Sequence, residues 1–304
     1  MPLLKKKRVL AAKIESTPGT AESLSASDAV FNVYDATIQP SIEFDNRDGQ
    51  GEFAPLYGTL GAYGATCTFS TDVIGDNDPL PAWASTFLPA CGLVWDTTKY
   101  ETADEAPGTN VKTLTIGLYE DGLFKSMRGA MGNVVFRFDA GKRIVAEFTF
   151  TGIWVAPSDV AVISPTYPTT APIRFVSSSL AIGSWSPKVA SMTIDLGNEV
   201  ILREDSSNSS GYSTAIITGR RVNGEIDPES SLVADDDPYG DWLSLTEASL
   251  SCTCGSSGNQ AAFTVEKAQF TTLQEGERNG LHTDAVQFQG NRNAGAFDFT
   301  LGLS

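Results

Sequence analysis

The chain has 304 residues and a formal net charge of −16, with 37 acidic against 21 basic residues. Its length predicts about two domains of roughly 150 residues each, and a hydrophobic content of 41% is enough for a core in each. Duplex nucleic acid is bound through Lys and Arg, so this charge argues against ordinary DNA binding. An acidic surface fits either a channel that lets a polyanion pass or simple solubility. No apolar run approaches the roughly 20 residues of a membrane span, and we expect no signal peptide.

The first part of the chain predicts an arm, a strand and a long loop. Residues 1–28 combine a basic cluster, KKKR (5–8), with the turn signal STPGT (16–20) and little apolar periodicity, so we expect an N-terminal arm. Strand-like alternation follows over 30–45. The Gly- and acid-rich stretch 46–64 predicts a long extended loop, and ATCTFS (65–70) alternates cleanly as a strand.

A short amphipathic helix is predicted over 79–92. Its apolar residues Trp83, Phe87, Leu88 and Cys91 lie on one helical face, and Gly92 is a C-terminal stop signal. Further strands follow over 111–121 and in the hairpin NVVFRFDA–G–KRIVAEFTFTG (133–152). A proline-bearing linker is expected over 157–172.

The second half of the chain repeats the order of the first. Strand patterns over 173–204 precede a polar loop at 205–214, then a strand at 214–229 and a helix around Trp242. A repeat of this length indicates a duplicated domain rather than a solenoid. The sequence therefore predicts a mainly β chain with two tandem β-sandwich or barrel domains, 29–156 and 173–304, each with a short flanking α-helix.

The sequence offers no constellation for catalysis. His282 is the one histidine, and it lies in a Gly- and Asn-rich stretch typical of an exposed turn. No nucleophile elbow, P-loop or dinucleotide motif occurs in a strand-to-helix context. The cysteines are expected to act as small hydrophobes, because the spacing of Cys252 and Cys254 is too tight for a zinc site. We expect no enzyme, no cofactor and no metal.

Three segments carry a resemblance to a known family. AAKIESTPGTAESLSASDAVFNVYDATIQPSIEFDNRDG (11–49), PAWASTFLPACGL (81–93) and KSMRGAMGNVVFRFDAGKRIVAEFTFTG (125–152) resemble the major tail tube proteins of long-tailed, siphovirus-like bacteriophages. The resemblance implies β-sandwich subunits that form rings and stack into a tube for DNA ejection. Because such rings usually hold six single-domain subunits, a doubled chain implies trimeric rings with pseudo-sixfold symmetry.

The resemblance also implies partners and a location. The chain would contact itself within and between rings, and it would meet a tape measure protein, a tail terminator and baseplate or distal tail proteins. Phage DNA would pass without specific binding, and no membrane is involved. The protein would be assembled in the bacterial host cytoplasm and end in the virion tail, which we expect to be non-contractile.

Two sets of residues are candidates for function. The inter-ring candidates are Lys13, Glu15, Pro18, Asp45, Arg47, Asp48, Glu52, Phe53, Tyr57, Arg203 and Tyr212. The acidic candidates for the lumen are Asp139, Glu147 and Asp298.

Two other classes of protein compete with this interpretation. A two-domain β-sandwich binding or adhesin module would need exposed aromatic side chains on one sheet face. A hydrolase on a β scaffold would show turnover of glycan or ester substrates.

Overall fold

The structure is a computed structural model that describes residues 3–51, 53–76, 79–293 and 297–304. Its described part is mainly β, as the alternating sequence predicts, with two short α-helices. The strands of the first half are β1 (Arg8–Ile14), β2 (Val33–Arg47), β3 (Leu56–Asp72), β4 (Leu93–Trp95), β5 (Lys99–Thr102), β6 (Leu114–Glu120), β7 (Leu123–Asp139) and β8 (Val145–Asp159). Those of the second half are β9 (Ser179–Ile182), β10 (Val189–Asp195), β11 (Asn198–Glu204), β12 (Tyr212–Arg220), β13 (Asn223–Pro228), β14 (Glu247–Ser256), β15 (Asn259–Arg278), β16 (Leu281–Gly290) and β17 (Phe299–Leu303).

The helices lie where the sequence predicts them. Helix α1 (Ala82–Phe87) continues into a 3₁₀ turn at Leu88–Cys91, and Gly92 ends it in the left-handed region with φ 75°. Helix α2 (Pro238–Ser244) begins after Asp237, whose carboxylate accepts a hydrogen bond from the backbone N–H of Gly240.

Both halves of the chain pair their strands in the same order. In the first half the order is β1-β6-β7-β8-β3-β2, and in the second it is β9-β14-β15-β16-β13-β10. Helix α1 follows β3, and α2 follows the corresponding strand β13. The second half thus repeats the supersecondary unit of the first.

The two halves share one sheet and one core. Strand β10 pairs antiparallel with β7, with Met192 opposite Phe138 and Ile194 opposite Phe136; we call this junction the seam. Across it, the ring of Phe136 lies 5.1 Å from that of Phe263 and 6.0 Å from that of Phe299. One continuous cluster of buried side chains contains residues of both halves.

Three expected segments differ in the structure. The arm expected over 1–28 contains β1, which pairs with β6 and buries Leu10, Ala11 and Ala12. Because Leu10, Ala11 and Ala12 are all buried, the sequence lacks the alternation of apolar and polar residues that normally predicts a strand. The loop expected over 46–64 is strand up to Arg47 and again from Leu56, because its glycines leave room for cross-strand neighbours: the ring of Phe44 covers Gly58. The linker expected over 157–172 begins inside β8, which runs to Asp159.

Candidate functional site

The solvent side of seven neighbouring strands forms a continuous polar surface. These strands are β2, β3, β8, β7, β10, β13 and β16, and their side chains alternate between the core and solvent. One row across the first half runs Thr37–Thr68–Thr149–Asn133. A second row crosses the seam as Arg137–Thr193–Glu225–Gln287. We call this surface the polar sheet face.

The charges on the polar sheet face are mostly acidic. Arg137 forms an ion pair with Glu147, with Nε and Oε2 2.7 Å apart. The carboxylate of Asp195 accepts hydrogen bonds from the side-chain amide of Asn133 at 2.7 Å and the backbone N–H of Gly197 at 2.8 Å. Because these partners are neutral, the negative charge of Asp195 is not compensated by them. Such a surface repels a polyanion and lacks a cation cluster to hold it.

The lumen candidates fall in two places. Asp139 and Glu147 lie on the polar sheet face, where their side chains are 54% and 42% exposed. Asp298 lies elsewhere: it is 18% exposed and forms an ion pair with Arg220, whose Nε is 2.9 Å from its Oδ2. Sequence reasoning missed Asp195 and Glu225, although alternation in SMTID (191–195) and in GEI (224–226) was a signal for them.

The inter-ring candidates 45–57 belong to the long β2–β3 hairpin. Asp45, Arg47 and Asp48 are exposed, and Glu52 lies outside the described residues. Phe53 and Tyr57 have exposures of 112% and 91%, so their rings contact almost nothing in this chain. Ile42, Phe44 and Leu60 are also exposed toward the base of the hairpin. A projecting hairpin with this much apolar surface is typical of a docking element.

Candidate Lys13 lies near the end of β1, and candidates Glu15 and Pro18 belong to the turn that follows it, which is packed within the chain. Lys13 lies 3.2 Å from Glu22, and Glu15 is only 4% exposed. The Glu15 carboxylate accepts hydrogen bonds from the backbone N–H groups of Gly19 and Gly129, both at 2.7 Å. It also accepts from the hydroxyls of Thr113 at 2.7 Å and Thr115 at 2.9 Å.

This turn contacts the second half of the chain. Gly19 has φ 80°, and a side chain there would collide with the carbonyl oxygen of Ser213. The hydroxyl of Thr214 donates to the carbonyl of Gly129 at 3.2 Å. The E-S-T-P-G-T turn (15–20) therefore links β7 to β12, and we call it the bracket. Pro18 is one of its exposed residues.

Arg203 and Tyr212 lie on the β11–β12 hairpin, beside the base of the β2–β3 hairpin. The backbone N–H of Tyr63 donates to the carbonyl of Ser210 at 3.1 Å. Burial raises the pKa of Tyr212, and the carboxylates of Glu43 and Glu204 raise it further. The turn of the β11–β12 hairpin thus lies against the base of the β2–β3 hairpin, so two segments expected to contact other rings are in contact with each other.

Two concave surfaces of the fold differ in their linings. A groove of about 410 Å³ at the base of the β2–β3 hairpin is lined mainly by apolar side chains, among them Ile42, Leu60 and Trp154, together with Tyr63 and Arg128. A larger cleft of about 970 Å³ contains Arg220, whose guanidinium already forms ion pairs with Asp298 and Asp104. In the described ranges no group of three or more His, Cys, Asp or Glu side chains could hold a metal ion, and no helix there is long and apolar enough to cross a membrane.

No family model matches the chain, and a search of curated proteins found no significant match.

Proposed function

We propose that this protein is a structural subunit that assembles into closed rings, and that the rings stack into a tube that conducts phage DNA. The observation that carries the proposal is the seam. It joins two copies of one supersecondary unit by pairing the edge strand β10 of the second copy with the far end of β7 in the first, through Met192–Phe138 and Ile194–Phe136. Units joined in this way can continue to add at both ends.

The seam is a heterologous contact, since the edge of β10 differs from the part of β7 that it pairs with. Contacts of this type produce a ring when their rotation closes. In the described residues, β2 has one strand partner, β3, so its other edge is open. Unpaired sheet edges are a liability in a monomer and are normally covered. Three chains would supply six repeated units to a ring.

The polar sheet face is the surface that we assign to the lumen. Its Thr, Ser, Asn and Gln side chains are hydrated but carry no fixed positive charge, and Asp195 and Glu225 add negative charge. DNA could move over such a surface without being retained. The proposal needs no cofactor, metal or catalytic residue.

The exposed β2–β3 hairpin is the element that we assign to stacking between rings. Phe53 and Tyr57 at its end would be buried against the next ring. This burial would account for two aromatic side chains that are fully exposed in the isolated chain. At the ends of the tube, the same surfaces would meet a tape measure protein, a tail terminator and baseplate or distal tail proteins. This assignment places the protein in the virion tail after assembly in the bacterial host cytoplasm.

The competing adhesin function finds less support. Sugar-binding sheets present exposed aromatic platforms, whereas Trp83 is 4% exposed and the other tryptophans pack against the core. The exposed aromatics Phe53 and Tyr57 lie instead on a narrow hairpin.

Negative-stain electron microscopy of the purified protein at rising concentration tests the proposal. We expect rings and hollow tubes, with three chains per ring by native mass spectrometry of the smallest closed species. Monomers at all concentrations and salt conditions would refute a tube, and six chains per ring would refute the pseudo-sixfold trimer.

A further inference from the structure

The contacts at the seam show which surfaces of one unit pair with which surfaces of the next. On the first half, it covers the far end of β7 and the turn between β7 and β8. Ala140 N–H donates to the carbonyl of Ala190 at 2.8 Å, and Gly141 N–H donates to the carbonyl of Phe175 at 3.0 Å. The ring of Phe175 lies 5.5 Å from that of Phe138. The second half thus contributes two parts: the edge of β10, and the residues just before β9.

Among the residues that the structure describes, the same two surfaces recur without a second strand partner at the far end of β15 and in β2, although the carbonyl of Thr271 on β15 accepts a hydrogen bond from the indole of Trp242 at 3.2 Å. By pairing order, β15 corresponds to β7, and within the described residues β15 pairs beyond Gln269 with β16 alone. Strand β2 corresponds to β10, and its outer edge is open. The residues before β1 correspond to those before β9, and Leu3 and Leu4 there are 54% and 56% exposed. Leu281, at the turn between β15 and β16, is 53% exposed.

These two open ends carry opposite charge. Lys5, Lys6 and Arg8 line a cleft of about 630 Å³ beside Val33 and Ala36 of β2, and among the described residues Asp35 is the one acidic residue that lines it. The guanidinium of Arg8 donates to the carbonyl of Ala36 at 2.7 Å, which holds the basic cluster against the open edge. At the other end, Glu275 and Glu277 are exposed on β15.

We infer that a second copy of this chain docks the far end of β15 and its turn into the basic cleft beside β2, which repeats the seam between chains. The inference rests on the proposed function and names the contact that closes its ring. Glu275 and Glu277 of one chain face Lys5 and Lys6 of the next, and Leu281 packs against Leu3 and Leu4. In a chain of net charge −16, this contact also lowers the repulsion between copies at the place where they meet.

Cross-linking tests the contact directly. The four native cysteines are buried, and burial raises the pKa of Cys67 and Cys91, so they react slowly with maleimides. We expect the double variant Leu4→Cys/Leu281→Cys, treated with a short bismaleimide, to give covalent dimers and trimers. The matched control Leu4→Cys/Ile201→Cys, with Ile201 51% exposed on β11, should give cross-links only at background level. Equal yields from both variants would overturn the inference.

Charge reversal gives a second, independent test. Lys5→Glu/Lys6→Glu and Glu275→Lys/Glu277→Lys should each raise the protein concentration needed for assembly by at least about tenfold at low salt. The chain that carries all four substitutions should regain most of the loss. Lys112→Glu/Arg221→Glu makes the same change of charge away from the cleft and is the control.

The outcomes separate this contact from the function it rests on. Tubes that form normally from both reversed variants would overturn the proposed contact but not the proposed tube. Cross-linked head-to-tail oligomers without tubes would support the contact and refute the tube. Binding of added duplex DNA that is lost in Lys5→Glu/Lys6→Glu, with assembly unchanged, would assign the cleft to a polyanion instead.

Discussion

Ile194 of β10 lies directly opposite Phe136 of β7 in the ladder that joins the two halves of the chain. Both side chains are fully buried, and Phe136 also contacts Phe263 and Phe299 of the second half. The halves therefore depend on one another for burial of their central aromatic residues. They should behave as one cooperative unit rather than as two.

Replacing Phe136 tests this cooperativity. We expect Phe136→Ala to destabilise the whole chain by about 3–5 kcal/mol, because it leaves a cavity at the junction of both halves. Calorimetry and denaturant unfolding should show a single transition that shifts as a whole. The control Phe53→Ala removes a fully exposed ring and should change stability by less than about 0.5 kcal/mol. Two separate transitions in the wild-type chain would contradict a shared core.

Removing the Glu15 carboxylate should open the bracket between β7 and β12. Glu15→Ala leaves the N–H groups of Gly19 and Gly129 without their acceptor inside the protein. We expect a loss of about 3 kcal/mol in the free energy of unfolding, measured in urea. Glu199→Ala, at an exposed position on β11, is the matched control and should have little effect. A loss that is the same for both variants would rule out the bracket.

Acid should destabilise the folded chain near the bracket, because Glu22 becomes protonated there. Hydrogen bonds from the hydroxyl and the backbone N–H of Ser16, together with Lys13, lower the pKa of Glu22 from 4.5 to about 2. A carboxyl whose pKa is lower in the folded state stabilises that state above its ordinary pKa, and the contribution is lost as pH falls through the folded value. The difference in melting temperature between wild type and Glu22→Gln should thus be constant above pH 4.5 and vanish toward pH 2. A difference that persists unchanged at pH 2 would mean that the charge of Glu22 has no part in it.

The hairpin end should matter for assembly but not for folding. We expect Phe53→Ser/Tyr57→Ser to shorten or abolish tubes while single rings and the melting temperature are kept, because both side chains are exposed in the isolated chain. Electron microscopy and light scattering measure the tubes. Leu232→Ser/Val233→Ser is the matched control, because these apolar side chains are 74% and 69% exposed in the segment between β13 and α2, outside the hairpin. Tubes of normal length from the Phe53/Tyr57 variant would remove the hairpin from the stacking contact.

Positive charge on the polar sheet face should cause retention of DNA. Thr68 and Thr149 are exposed neighbours on β3 and β8, so Thr68→Lys/Thr149→Lys adds two cations to one row of the face. Tubes of this variant should retain short duplex DNA at low salt and release it as salt rises. Wild-type tubes should retain none. Equal retention by both would place this face away from the conduit.

Much of the local structure could be predicted from the sequence. The alternation of Ala65, Cys67 and Phe69 predicts a strand with one buried face, and the prolines and Gly92 around Trp83 predict the short helix. The repeat also appears in the sequence, since strand, helix and hairpin recur in order. These features depend on residues that are close together in the sequence, and hydrophobic periodicity therefore predicts them.

The seam could not be predicted, because it joins residues far apart in sequence. Nothing local distinguishes the edge of β10, which pairs with β7, from that of β2, which stays open. Glu15 is a similar case. The sequence analysis names it as a candidate inter-ring contact, but one donor from its own turn and three from distant segments make its burial favourable. Strand periodicity predicts Asp298 as a lumen residue, but its carboxylate pairs with the buried guanidinium of Arg220, away from the polar sheet face.

The covalent connection from Asp159 to Ser179 has a kinetic consequence for the proposed assembly. Two units on one chain meet at an effective concentration of the order of millimolar, whatever the amount of protein present. Half of the junctions in a six-unit ring therefore form without any encounter between molecules. The rate of ring nucleation should rise with a power of the protein concentration no greater than three, so that rings would form even where the subunit is scarce.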